Sequence, residues 1–450
     1  MHAAPTQLPH QDGYLVGRGA AWFAFAMTII LMMFDYIDRQ VIVSLFPHLK
    51  TEWELSDKQL GGLVSVVSVT VALGGIPIAL FADRVSRVKS IVAMAAVWSL
   101  ATISCMFAGS YAHLFAARAL VGVGEAGYGS VGAGLISSHF PSRMRGGLMA
   151  AFFASASLGS VAGVVLGGVI AARFGWQAAF GVVGIPGLIF ALLYLFVKDY
   201  GTVTLDPRRE QARRSTAEAS GFIARALVRS ATMRWVCVGG AAQLIVVSTV
   251  WSWLPSYLNR FHGMAVQEAA TRTALVVLAC AVGSVIWGVL ADRAGRRVPG
   301  RRLVTVAIAC LITLFVLLTA FAGPLLGLQL GLGQQLGLVL FAGLFMTCTS
   351  GPVAATVIDV VHPGLRSTGA AVLSLFQNLF GLAAGPFITG ALSDTFGLRV
   401  AMAVMPLFGL LSAWALLRAS RSYAGDLQSQ QQAQTTEASA PGTAAALAHG

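Results

Sequence analysis

The chain of 450 residues is 56% hydrophobic and only 11% charged, with a formal net charge of +12. A soluble domain carries about 25% charged residues, so this composition excludes a water-surrounded globule and makes the bilayer the solvent for most of the chain. All five cysteines fall in apolar stretches far apart in sequence, which argues against a disulfide framework and against a zinc cluster.

In chain order, residues 1–19 are polar, contain prolines and show no cleavable signal pattern, so they read as a cytoplasmic N-terminal segment. Apolar runs long enough to cross a ~30 Å hydrocarbon core then fall near 20–45, 60–82, 89–109, 113–137, 147–172 and 175–197. They resume near 233–258, 271–291, 303–322, 335–360, 367–391 and 399–418. The pattern predicts an all-α membrane protein of twelve transmembrane helices in two six-helix bundles, 20–197 and 233–418. A basic linker, 198–232, joins them and is expected to lie partly helical on the membrane surface. A tail, 419–450, is rich in Gln, Ala, Ser and Thr and is expected to be disordered.

Orientation follows from the basic residues. One side collects Arg18, Arg84, Arg87, Lys89, Arg143 and Arg145, the linker arginines, Arg293 to Arg302, Arg366, Arg418 and Arg421. The other side has only Lys50, Lys58, Arg173, Arg260, Arg272 and Arg399. The crowded side is expected to be cytoplasmic, with both termini there, in a cell membrane such as the bacterial inner membrane. The net charge then follows from topology, with weak attraction to anionic lipid as a by-product, and no nucleic-acid partner is expected.

The two halves repeat. At a constant offset of 222, Pro141, Gly147, Gly159, Gly163, Gly168 and Phe174-Gly175 meet Pro363, Gly369, Gly381, Gly385, Gly390 and Phe396-Gly397. Ala82-Asp83-Arg84 meets Ala291-Asp292-Arg293 at an offset of 209, which places an insertion around Gly323–Gln335, before the tenth span. Parallel repeats of this kind imply a two-domain transporter with its site at the midplane.

The fourth span carries the first candidates. Arg118 and Glu125 lie seven residues apart in an apolar, glycine-rich run and so share a helix face. Ionisable side chains at membrane depth normally face a bundle interior or a wet cavity. Gly122-Val-Gly124-Glu-Ala-Gly127 also matches a dinucleotide fingerprint, but no strand precedes it, so the glycines read as sites of close helix approach. On the first span Asp38 is expected in the outer third, level with Arg118, with Glu125 two turns deeper. Asp35 and Arg39 stand beside Asp38.

These residues resemble the major facilitator superfamily across all twelve spans. Gly288-Val-Leu-Ala-Asp292-Arg293-Ala-Gly295-Arg296-Arg297 resembles its loop motif. The first-half copy, Ala79 to Arg87, keeps Asp83, Arg84 and Arg87, but Ala79 and Ser86 replace glycines. Within the superfamily the likeness is to spinster-like transporters, carried by Tyr36-Ile-Asp38-Arg39-Gln40, by Arg118 with Gly122-Val-Gly-Glu125-Ala, by Phe174-Gly-Trp176-Gln-Ala-Ala-Phe180, and by Trp253-Leu-Pro255-Ser-Tyr-Leu with His262-Gly-Met264. Anion:cation symporters share a similar Asp-Arg and Glu-Ala-Gly. The resemblance implies that Asp83 reaches the eleventh span near Ser367–Gly369 and Asp292 the fifth near Gly146-Gly147, as latches that close the inner side.

The reading is a secondary transporter driven by the proton gradient without a cofactor, and not an enzyme. Glu125 takes up a proton while Arg118 switches between Asp38, Glu125 and an anionic substrate group; a static network that fixes helix packing is the alternative. Gln243, Gln377 and Asn378 are candidates for substrate contacts from the second half. Trp251, Trp253 and Tyr257 read as interfacial anchors. The substrate is expected to be small and organic or lipid-like, such as a lysolipid, with aromatic or sugar-acid carboxylates as the alternative. A non-transporting sensor and an intramembrane enzyme are the readings from other classes, the latter without a visible nucleophile–base pair or metal cluster.

Overall fold

A computed structural model describes residues 14, 16–198, 230–296, 298–361 and 366–438. Twelve helices or helix pairs in it are long and apolar enough to cross a membrane, and no strand occurs among the described residues. Small polar residues start the spans where the chain turns back. Ser56 and Gln59 form a reciprocal capping box at the head of the second span, Asp57–Val85, and Ser110 caps the fourth at Tyr111. Ser86 accepts from the Lys89 amide and so caps the third span, Arg87–Met106, where the superfamily motif carries glycine. Each such cap contributes about 1 kcal/mol.

The sequence repeat is a repeat of packing. On the fifth span, Ser142–Phe174, a Cβ at Gly159, Gly163 or Gly167 would stand under 3.0 Å from the carbonyl oxygens of Met33, Ile37 and Val41 on the first. On the eleventh span a Cβ at Gly385 would stand 2.7 Å from the Ile245 carbonyl oxygen of the seventh, and one at Gly381 3.2 Å from that of Ala241. The first span therefore maps onto the seventh at an offset of 208. Gly175 and Gly397 take the same positive φ of 83°, so the turns after spans five and eleven repeat as well.

The apolar side chains form three cores. One joins the halves: Phe46, Trp253, Leu254, Trp176 and Met346 all belong to it. It lies toward the side opposite the termini. The other two lie toward the termini, and each belongs to one half: Tyr14, Trp98, Tyr128, Phe152 and Tyr194 in the first, and Met233, Cys310, Val357 and Tyr423 in the second. Among the described residues the halves thus share a core on the side away from the termini and keep separate cores on the side of the termini.

Two boundaries and one placement differ from expectation. The first span does not end near 45 but continues through a 3-10 turn, Ile42–Leu45, to Trp53. The last helix, Phe408–Ala438, runs well past 418 into the segment expected to be disordered. Asp426 on it holds the Ser230 hydroxyl and the Thr232 amide at the start of the seventh span, which ties this stretch to the bundle. Trp253 and Tyr257 are not interfacial anchors. Both are buried in the shared core, with the Trp253 indole donating to the Pro386 carbonyl and the Tyr257 hydroxyl accepting from Gln335. Cys310 and Cys348, distant in sequence, bring their sulfurs to 3.7 Å as free thiols. The linker expectation for 199–229 lies outside the described residues.

Candidate functional site

The fourth span is two half-helices, Tyr111–Glu125 and Tyr128–His139. Between them Ala126 is extended and Gly127 takes φ 86°, a left-handed conformation that glycine adopts without steric penalty. The three glycines of the motif thus do three things. Gly122 lies against Val67 of the second span and Gly124 against Trp98 of the third, each too close for a side chain, and Gly127 makes the break. Sequence periodicity did not show this break, because the apolar run is continuous through it. Interrupted backbone at membrane depth is tolerated where it is buried in protein or lines a cavity.

Glu125 is the last residue of the outer half-helix and lies halfway along the span. The longer first span puts Asp35, not Asp38, near its own middle. The two middles meet through Arg39, whose Nε donates to Asp35 Oδ1 at 2.7 Å and stands 3.1 Å from Glu125 Oε2. One layer outward, Arg118 Nη1 lies 3.0 Å from Asp38 Oδ2 and 3.2 Å from the Asp38 carbonyl, while Thr102 of the third span donates to Asp38 Oδ1 at 2.9 Å. Asp38 and Arg118 therefore meet as expected, but the partner of Glu125 is Arg39 and not Arg118. The Arg118 and Glu125 side chains are sealed, at 1% and 0% exposure, whereas Arg39 is 17% exposed and is the face of the cluster that solvent reaches. Arg118 Nε and Nη2 lack a hydrogen-bond acceptor.

In the second half Gln243 is fully buried and donates to the Met346 carbonyl at 3.0 Å, a bond between spans seven and ten. Asn378 is half-buried within a π-helical turn, Gln377–Leu382, and donates to the Ser374 carbonyl. Among the motif residues, Arg87 ties the third span to the Gly134 carbonyl and the Ser138 hydroxyl of the fourth. Arg293 and Arg296 are exposed. Asp292 does not reach Gly146 and Gly147, which have open space around them; it lies 3.2 Å from Arg302 of its own half. The side chains of Asp83, Arg84 and Ser367, and Arg297 as a whole, lie outside the described residues.

The closed side carries a network that the sequence reading missed. Asp57 accepts two bonds from Arg260, at 2.7 and 2.8 Å, and is also met by Lys50 and Ser393. Asp394, at the end of span eleven, accepts from the Asp57 and Lys58 amides, so the carboxylate of one half caps a helix of the other. The capping-box pattern Ser56-Asp-Lys-Gln59 was the legible signal of the helix start. Its cross-half partners were not legible.

Comparison with known proteins agrees with this architecture. The Major Facilitator Superfamily profile matches residues 28–386. Protein spinster of Drosophila melanogaster is 25% identical over 393 residues, 84% of this chain, and the match spans 63% of the fly protein. An MFS-type efflux pump of Mycolicibacterium smegmatis is 27% identical over 440 residues, 93% of this chain and 96% of the pump. A bacterial homolog of the human lysosomal transporter Spinster, crystallised in an inward-facing and unoccupied conformation, superposes with a TM-score of 0.80 at 24% identity, over 91% of this chain and 99% of the other. The chain belongs to the Major Facilitator Superfamily and is an integral membrane transporter, spinster-like in its likeness.

Proposed function

We propose that this chain is a proton-coupled secondary transporter that works by alternating access, with its termini in the cytoplasm of a bacterial cell and its substrate a small organic or amphipathic solute. The observation that carries this reading is the sealed Glu125 at the break of the fourth span, paired with the solvent-facing Arg39. A ligand or proton can act on the cycle only through different affinities for its two states. Glu125 supplies such a difference if Arg39 stays on it in one state and leaves it in the other. The partner switch expected of Arg118 then belongs to Arg39, while Arg118 and Asp38 brace the site.

The shared core and the contacts of Asp57 with Arg260 and Asp394 on the side away from the termini, against separate cores on the other, support an inward-facing state of that cycle. A symporter of small carboxylates is the second reading, favoured by the two unfilled donors of Arg118. The test is flux in proteoliposomes under an imposed pH gradient. Glu125→Gln is expected to fold, to bind substrate and to lose all gradient-driven flux. Undiminished gradient-driven flux in that variant would remove Glu125 from the coupling.

A further inference from the structure

On the side of the termini the second half carries a group of arginines that the fold does not pair. The last span supplies Arg418 and Arg421, the start of the seventh Arg234 and the start of the ninth Arg301; all four are exposed. The three elements meet there. A Cβ on Gly300 would lie 2.8 Å from the Ser420 carbonyl oxygen, and the Thr232 and Ser422 hydroxyls are 2.8 Å apart. Ser420 and Ser422 stand about 200° apart around the helix, so Arg421 between them faces outward between spans seven and nine. The carboxylates of this end are engaged elsewhere. Asp359 accepts from Arg302 and Tyr423, each at 2.6 Å, Asp292 lies 3.2 Å from the same Arg302, and Asp426 holds Ser230 and Thr232. Among the described residues none of the four arginines has an ion-pair partner.

An aromatic pair lies beside the charges. Trp414 and Trp235 meet edge to face with centroids 4.9 Å apart, and the Arg418 guanidinium stands 5.7 Å from the Trp414 ring centre. Trp414 is exposed and shares one helix face with Arg418 and Arg421, at spacings of four and seven. The same face continues away from the termini as exposed Leu410 and Leu411. From Leu398 to Arg418 the last span rises about 30 Å, the depth of a hydrocarbon core, so the arginines stand at headgroup level and the leucines among acyl chains. The first half lacks this arrangement. At the offset of 222, Leu192 and Phe196, both exposed, take the places of Trp414 and Arg418. The shared packing of the halves therefore does not demand it, and a basic bias toward one side is met by loop residues alone.

We propose that this edge of the second half binds one anionic phospholipid, its phosphate held by Arg418 and Arg421 with Arg234 and Arg301 flanking, and its acyl chains along the leucine face. A guanidinium fork matches a pair of phosphate oxygens. The apolar face favours a lipid over a free phosphate ion, which has nothing to place on it.

The test is native mass spectrometry of the full chain in detergent, titrated with phosphatidylglycerol or phosphatidylcholine of the same acyl chains. Wild type is expected to keep one phosphatidylglycerol under conditions that strip phosphatidylcholine. Arg418→Gln with Arg421→Gln should weaken that binding about thirtyfold, a factor of about five for each arginine near the headgroup. Arg421→Gln alone changes a side chain with no polar partner among the described residues. It should weaken binding about fivefold and leave the lipid-free melting temperature unchanged. Arg18→Gln with Arg143→Gln removes the same charge from exposed positions on the same side of the first half and should leave binding as it is. Inorganic phosphate at the concentration of the lipid should not displace it. Equal binding of the two lipids or equal losses in the two double variants overturns the site and leaves only diffuse attraction. Displacement by phosphate overturns it as a lipid site and leaves an anion site.

Discussion

The two halves pack alike and differ in charge at matching positions. The offsets that superpose their packing, 208 for the first span and 222 for the fourth, set Gln243 against Asp35, Val246 against Asp38 and Val247 against Arg39. They set Leu340 against Arg118 and Thr347 against Glu125. The tenth span also breaks, at Thr347–Thr349 between Leu332–Met346 and Ser350–Val360, level with the break after Glu125. Even the bond recurs in a neutral form. Gln243 of span seven donates to the Met346 carbonyl at that break, where the first span sets Asp35 and Arg39 against Glu125. The second half is thus what this architecture looks like without ionisable groups. The charges of the first half are not required by the fold, which directs attention to them as function.

The comparison can be broken most sharply by making the first half resemble the second. Asp38→Val alone strands the sealed Arg118 guanidinium, at a loss of about 3–5 kcal/mol. Thermal unfolding in detergent should show it as low yield and an early transition. Asp38→Val with Arg118→Leu installs the residue types of the second half and should recover most of that stability while leaving gradient-driven flux impaired. If the double variant transports like wild type, the pair is scaffold and the contrast between the halves has no functional content.

Packing should respond equally on both sides. Gly163→Val and Gly385→Val each force a branched side chain against a carbonyl of the neighbouring span, and overpacking of this kind is worth about 1–3 kcal/mol. Similar shifts in the melting of the two variants support the shared design. A large effect in one half only would show that the packing repeat is superficial.

The seal between the halves should give way more gently. Arg260→Gln leaves Asp57 with Lys50 and Ser393, and the partly exposed pair contributes about 1 kcal/mol or less. Spin labels at Thr51 and Thr395 should then report a larger separated population on the side away from the termini. An unchanged distance distribution would mean that the apolar core, with Phe46 against Trp253 at 5.2 Å, closes that side unaided. The smallest effect is expected for Gln243→Leu. Interhelical side-chain bonds in membranes average about 0.6 kcal/mol, so melting should barely move and flux should persist. Loss of flux in that variant would bring Gln243 back as a substrate contact.

Sequence alone was enough for what hydrophobicity and spacing encode. Twelve spans in two repeats, the glycine register at 159, 163 and 167, and the presence of Asp38, Arg118 and Glu125 at membrane depth are local properties, because a bilayer penalises each misplaced polar group independently of its neighbours. Partnership is a different kind of fact. Whether Glu125 pairs with Arg118, seven residues away on its own helix, or with Arg39 on another span depends on where two helices cross and on which turn one of them breaks. The cross-half meeting of Asp57 with Arg260 and Asp394, and the burial of Trp253 in the shared core rather than at the interface, likewise depend on how the halves tilt against each other. Helix periodicity is blind to that tilt, since it fixes which face of a helix is polar and not which neighbour that face meets; only the tertiary structure decided it.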